Sequence, residues 1–377
     1  MRILLVSTYS SNVPSTIWCL TVGTSLAKMG HEVTAVILER DTNLSAKFMG
    51  SGIRLINRPL SSHIYDGFFF SPLVIPEIMF SNYDIVHVHH AANWGCILGA
   101  MRSRLRGTPL IITPHTSLFE LPKIVYSIYK RLVKFVFGSA SAILLLSDFH
   151  RDVLIDQQLW VNEKTTFLVH NPVSQAFFTV PRAPAPASCG IYVGRMESYQ
   201  KALDRLVPVF GALRDCGIRF LMVGEGPFKE TLDQLIQREK WTHVEMLGEI
   251  PNEALPQLLS SADFFIMPSR YETQPIALLE AMASGLPVVA TDIPGITQFC
   301  PRDAGFFIKQ PDHSDEWVKA ISSLAQDPEA AYMMGMRARQ EVKTHHPDLV
   351  ATEHLDIYKH FVKEKHINCH KDGFNDD

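Results

Sequence analysis

Apolar and polar positions follow two rhythms along this chain. Short β-branched runs, too brief for helices, alternate with stretches in which apolar residues return at helical spacing. In the first half RILLVST predicts a strand, IWCLTVGTSLAKMG a helix closed by Gly30, and HEVTAVIL the next strand. DIVHVHH, PLIITPH and AILLLSD repeat the theme, each beside helical pattern. Residues 178–188, FTVPRAPAPAS, break it; rich in Pro and Ala and without periodicity, they suit a stiff linker. The alternation then restarts with CGIYVGR, ALDRLVPVFGALRDCG, RFLMVGEG, FKETLDQLIQRE, VEMLGEI, NEALPQLLSSA and FFIMPS. Strand and helix in repetition predict an α/β protein with two Rossmann-like, doubly wound parallel-sheet domains, 1–177 and 189–347. An amphipathic helix is expected at 348–365, after the His345-His346-Pro347 break. Ligands bind at the carboxyl ends of such sheets, so two of them in tandem predict domains facing each other across a cleft that holds the site.

Composition agrees with this division. A chain of 377 residues exceeds one ordinary core. With 46% apolar and 20% charged residues it is of the soluble globular kind. No uninterrupted apolar run reaches the roughly 18 residues of a spanning helix. The opening MRILLVSTYS lacks a small-residue cleavage site and reads as a buried strand, not a leader. Six cysteines are scattered without a C-x-x-C pair, as expected of reduced thiols in the cytoplasm. Residues 1–175 hold 15 Lys and Arg against 11 Asp and Glu, and the remainder 20 against 28. The mildly basic first half suits an anionic surface but is too weak a signal to imply nucleic acid, which is not expected as a partner.

The loop after the first strand, STYSSNVPSTIW, has no glycine where a backbone would approach a pyrophosphate, and G-x-x-x-x-G-K-[ST] is absent, so nicotinamide enzymes and P-loop hydrolases are disfavoured. In VGRMESYQK, Arg195 directly follows a strand and Lys201 stands near the next helix. Two cations beside exposed N–H groups make a phosphate cradle; the bland alternative is a solvated pair. In YETQPIALLE, Glu272 precedes a helix that Pro275 opens and Glu280 sits on its second turn, so the two do not share one helical face. Offsetting the macrodipole would use about 0.3–1 kcal/mol of such a carboxylate. Accepting two hydroxyls of a ribose cis-diol, at roughly 1.5–3 kcal/mol per desolvated charged bond, uses it better.

Together, ETQPIALLE continuing into AMASGLPVVATDIPG, GRMESYQK, LMVGEGP and MLGEIPNEALPQLLSSADFFIMPSRYE, in this order over residues 190–300, resemble the retaining glycosyltransferases of family 4, which have the two-domain GT-B fold. GHEVTAV, YDIVHVHH and TPHTSLFE give a thinner likeness in the first half. The resemblance implies that Arg195 and Lys201, beside Gly194, hold a donor diphosphate, that Glu280 binds the ribose and that Glu272 faces the transferred sugar. It implies that N–H groups of Ile276 and Ala277 approach sugar or phosphate oxygens, that the turn Gly248, Glu249, Ile250 holds the base edge, and that His115 lies near the donor sugar. It also implies that the C-terminal helix packs back onto the first domain. Ser15-Thr16 replaces the family's Gly-Gly, leaving hydroxyls as the donors there; Asn171-Pro172 replaces Asn-Gly, and Ala202 replaces a Gly.

His87 and His89 share a strand face with no carboxylate or Cys at matching spacing, so structure or site lining is read ahead of metal. KIVYSIYKRLVKFVFG, 123–138, carries Lys123, Lys130, Arg131 and Lys134 among aromatics; it reads equally as a packed helix with basic edges or as contact of 123–137 with an anionic membrane. The resulting expectation is a metal-independent retaining transferase without a bound cofactor. It would move a hexose or N-acetylhexosamine from a nucleotide-diphosphate sugar, UDP favoured over GDP, to a glycan or lipid-linked acceptor in surface polysaccharide or glycolipid synthesis, at the cytoplasmic membrane face. Alternatives are a non-catalytic sugar-nucleotide-binding scaffold and a sugar-nucleotide epimerase of the same fold.

Overall fold

The computed structural model describes residues 1–7, 14–38, 48–58, 62–65, 68–70, 72–90, 93–115, 123–159 and 165–372. The chain divides into two compact units, Met1–Pro172 with Pro347–Asp377, and Val173–His346.

The first unit contributes β1 (Arg2–Ser7), β2 (Glu32–Leu38), β3 (Ile53–Arg58), β4 (Ser62–Tyr65), β5 (Phe68–Phe70), β6 (Ile85–His89), β7 (Leu110–Thr113), β8 (Ala142–Leu145) and β9 (Thr166–Leu168). β4 and β5 pair as an antiparallel hairpin, and the other seven form a parallel sheet in the order β3-β2-β1-β6-β7-β8-β9. Helices cover both faces, so its central strands are apolar at successive positions rather than alternating with polar residues. Leu4, Val6, Val86 and Val88 face one core cluster, while Ile3, Leu5, Ile85 and Ile111 face another.

In the second unit β10 (Cys189–Val193), β11 (Arg219–Val223), β12 (Val244–Gly248), β13 (Phe264–Met267), β14 (Val288–Thr291) and β15 (Gly305–Ile308) form a parallel sheet, β12-β11-β10-β13-β14-β15. Strand order reverses beside β1 in the first sheet and beside β10 in the second. At such a switch point neighbouring connections leave in opposite directions and open a crevice at the carboxyl ends.

The change of unit falls at Pro172/Val173, ahead of the Pro- and Ala-rich stretch. Residues 178–188 therefore belong to the second unit instead of spanning free: Arg182 donates to the carbonyls of Ser284 at 2.8 Å, of Ala262 at 2.6 Å and of Leu259. The carbonyls of Leu259 and Ser284 lie at helix C-terminal ends, where intrahelical donors run out.

The C-terminal helix, Pro347–Asp372, lies in the first unit. Val350, Ala351, Leu355, Tyr358 and Phe361 join Trp18, Cys19 and Val22 in one buried cluster. Asp348 accepts from Ser25 Oγ at 2.7 Å, Glu353 holds the His170 ring and N–H at 3.0 Å each, and the Tyr358 hydroxyl meets His87 Nδ1 at 2.6 Å. Tyr358→Phe keeps the ring and strands a buried imidazole nitrogen. It should cost about 1–3 kcal/mol of stability, read in urea or thermal unfolding; an unchanged transition would show that this bond contributes nothing.

Candidate functional site

The carboxyl end of β10 is shaped by close backbone approach. Tyr192 donates its hydroxyl to the Arg195 carbonyl at 2.8 Å, and the Met196 N–H reaches the Glu225 carbonyl at 2.8 Å. Gly224 and Gly226, with φ of +132° and +155°, leave room for the carbonyls of Gly194 and Met196, which lie 2.0 and 2.2 Å from where a Cβ would stand. GRM and VGEGP are thus two halves of one wall, and a side chain at either glycine would part them.

The two cations on this wall differ. Arg195 extends its side chain into solvent, 62% exposed, with Glu197 Oε2 at 3.7 Å. Lys201 is largely enclosed, and its Nζ lies 2.7 Å from Glu272 Oε1, which also accepts from Ser269 Oγ at 2.7 Å. Ala202, next in the chain, has φ of +52°, the conformation for which glycine is the easy choice.

Glu272 follows β13 across the switch point from β10. Its carbonyl presses on the backbone of Gly295, where an added Cβ would stand 1.8 Å away, so the glycine of DIPG is a seat for the Glu272 loop. Pro275 caps the helix Ile276–Ala283. The N–H groups of Ile276 and Ala277 precede any intrahelical acceptor and lie at the positive end of the helix. Glu280, on the second turn, is 5% exposed. It accepts a hydrogen bond from Asn252 Nδ2 at 3.4 Å, and desolvation pushes its carboxyl up to about 8. Asn252 lies two residues beyond the turn of Gly248, Glu249 and Ile250; Gly248 has φ of +67°, and its carbonyl accepts from Gly224 N at 2.8 Å. One compact region of the second unit therefore holds Gly194, Arg195, Lys201, Glu272, Glu280, the helix start and the 248–250 turn.

In the first unit Ser15 and Thr16 are buried at the start of the helix Pro14–Lys28. Their hydroxyls, which the sequence offers as donors, are engaged inward: Ser7 Oγ lies 2.9 Å from Ser15 Oγ and 3.3 Å from Thr16 Oγ1, and His90 Nε2 is 3.5 Å from Ser15. His115 Nε2 meets His89 Nδ1 at 2.9 Å, and desolvation, with a lesser push from His150, holds its ring well below the ordinary imidazole range. His87 is taken up by Thr113 Oγ1 at 2.8 Å and by Tyr358. Among the described residues no group of three His, Cys, Asp or Glu is placed to hold a metal ion. Asn171 is buried where the chain leaves this unit. In the helix Lys123–Phe137, Val133, Val136 and Phe137 turn into the core while Arg131 and Lys134 are exposed; the side chains of 123–128 lie outside the described residues. Among the described residues no helix is long and apolar enough to cross a membrane.

Two partners escape a reading of the sequence. Ser269 stands three residues before Glu272 in an irregular loop, and Asn252 is 28 positions from Glu280. No periodicity links either pair.

Two family models match the chain: Glycosyltransferase Family 4 over residues 16–177 and Glycosyl transferases group 1 over 189–327. A sulfoquinovosyl transferase of Arabidopsis thaliana is 27% identical over 343 residues, taking in 84% of this chain and 65% of that protein. The gpi3 subunit of the phosphatidylinositol N-acetylglucosaminyltransferase of Schizosaccharomyces pombe is 23% identical, over 80% of this chain and 67% of that protein. The chain thus spans about two thirds of the length of these curated relatives. Among solved structures, Anabaena HepE in complex with UDP superposes with a TM-score of 0.76 at 16% identity, covering 95% of this chain and 100% of that one.

The burial of Glu280 has a measurable sign. In the folded chain its carboxyl stays neutral up to about pH 8, whereas unfolded it ionises near 4.5, so its contribution lowers stability progressively as pH rises through that window. Glu280→Gln should therefore be more stable than the parent at pH 8, by something on the order of 2 kcal/mol, and equal to it near pH 4. Matching pH–stability curves would show that Glu280 is ionised and compensated.

Proposed function

The chain belongs to glycosyltransferase family 4, with the GT-B fold, and from that membership and the geometry of the second unit we infer that it is a retaining glycosyltransferase using a UDP-sugar. The observation that carries the reading is the pair of buried carboxylates in unlike settings. Glu272 is joined to a cation, while Glu280 is enclosed with no cation beside it among the described residues.

Glu280 needs hydroxyl donors. A ribose diol supplies two, and their bonds to the carboxylate would favour its ionised form. The Gly248–Ile250 turn, tied to Glu280 through Asn252, takes the base edge. Lys201 and Arg195 meet the diphosphate, aided by the N–H groups of Ile276 and Ala277 at the helix start. These cations neutralise the charge that grows on the leaving diphosphate, so no divalent metal is required. Loss of one such electrostatic partner typically costs about 10²- to 10³-fold in rate. Glu272 orients hydroxyls of the transferred sugar. The acceptor oxygen attacks the anomeric carbon on the face from which the diphosphate leaves; the sugar–phosphate bond breaks, and a leaving phosphate oxygen takes the acceptor proton.

UDP is favoured because HepE, which shares the fold, was solved with UDP. A lipid or lipid-linked acceptor is favoured because a relative's name specifies phosphatidylinositol. The exposed Arg131 and Lys134 would meet an anionic membrane through charge, since the described apolar side chains of their helix face the core.

A panel of UDP-, GDP- and ADP-sugars tests the donor. A UDP-sugar at roughly 100 times its Kd should add about 2.7 kcal/mol in thermal unfolding. Transfer of labelled sugar to a lipid extract should survive EDTA. Glu272→Gln should keep more activity than Glu272→Ala if positioning outweighs charge. If no nucleotide sugar stabilises the protein, donor binding is refuted; interconversion of free donors without acceptor would identify an epimerase.

A further inference from the structure

We propose that Arg270 is a positioning residue of the donor site that clamps the backbone on both sides of Lys201. The inference rests on Lys201 being the cation that meets the donor diphosphate. Arg270 Nη1 donates to the carbonyls of Ser198 and, at 3.4 Å, Tyr199, while the Arg270 backbone N–H donates to the Gln200 carbonyl at 2.8 Å. These are the three residues immediately before Lys201. Beyond it, Asp204 receives the same guanidinium in a fork, Nη1 to Oδ1 at 3.1 Å and Nη2 to Oδ2 at 2.8 Å. Gln200 returns a bond from Nε2 to the Tyr271 carbonyl at 3.4 Å. Arg205 adds a second stitch between the same loops, Nη1 to the Pro268 carbonyl at 2.9 Å.

The need for such a clamp follows from lysine itself. Its ammonium rides on a flexible four-carbon stem, so its position is only as well defined as the backbone that roots it. Here that backbone is a loop ending in Ala202 in the left-handed region. Arg270 stands two residues before Glu272, so one side chain fixes the loop of the cation to the loop of its carboxylate. With side chains 36% and 41% exposed, the Arg270–Asp204 pair contributes little to stability by itself. Its consequence is geometric. Lysine at 270 could not serve two carbonyls and both carboxylate oxygens at once, since the planar fork is what matches them.

Arg270→Ala and Arg270→Lys should each lower kcat/KM for the donor about 10- to 100-fold, the scale of a misplacement near 1 Å. The loss should fall mainly on kcat, because Lys201 acts on charge that grows in the transition state. The Tm should move by less than about 4 °C. Guanidinium ion at millimolar concentration should restore part of the activity of Arg270→Ala and none to Lys201→Ala. A readout independent of turnover is reductive methylation followed by mass spectrometry: Lys201 should react several-fold faster in Arg270→Ala than in the parent, with the exposed Lys319 unchanged. Unaltered Lys201 reactivity, or an activity loss matched by an equal loss of folded protein, would overturn the proposal. A parent protein that turns over no nucleotide sugar would refute the proposed function instead, and the labelling would still decide the role of Arg270.

Discussion

Two carboxylates held out of water within eight residues set the terms for the second unit. A buried carboxylate must find a partner or give up its charge. Glu272 finds Lys201 and Ser269, and Glu280 gives up its charge. Much of the surrounding architecture keeps these two outcomes apart. Gly295 admits the Glu272 loop, and the wall of GRM and VGEGP carries Lys201 to it. The helix Ile276–Ala283 is held at its far end by Arg182 on the Ser284 carbonyl and Arg339 on the Ala283 carbonyl at 2.9 Å. Positive charge at its C-terminus complements the macrodipole and leaves its N-terminus pointing at the site.

The first unit solves a different problem, that of burying imidazoles. His87 and His89 stack with ring centroids 4.5 Å apart, His89 and His115 at 5.2 Å, and Trp18 lies 4.5 Å from His89. Burial holds all three rings neutral, so they act as polar packing that links Tyr358 of the C-terminal helix to the strand end bearing His115. Beside them Ser15 and Thr16 pair inward with Ser7, and Ser15 Oγ lies 3.5 Å from His90 Nε2. Where the family usually has two glycines, this chain has two hydroxyls already paired inside the protein.

Much of the fold was legible in the chain. Buried parallel strands are short apolar runs and their crossover helices are amphipathic, so both sheets could be read along their central strands. β3, the β4–β5 hairpin, β9, β14 and β15 were not read, because strands this short or at a sheet edge offer few positions from which a period could emerge. The linker was misplaced for a related reason. Pro and Ala mark a stretch without regular structure, but composition is silent on whether its backbone is free or pinned, as Arg182 pins it.

By itself the sequence determined the two α/β units and the placement of Arg195 and Lys201 after one strand and of Glu272 and Glu280 before and within a helix. These follow from local order along the chain. Only the tertiary structure decided that Lys201 and Glu272, 71 residues apart, share a hydrogen bond, that Glu280 lies buried beside Asn252, and that the Ser15 and Thr16 hydroxyls turn inward. Charge state and partner choice depend on what packing removes from water. That is set by segments distant in sequence, and no local pattern encodes it.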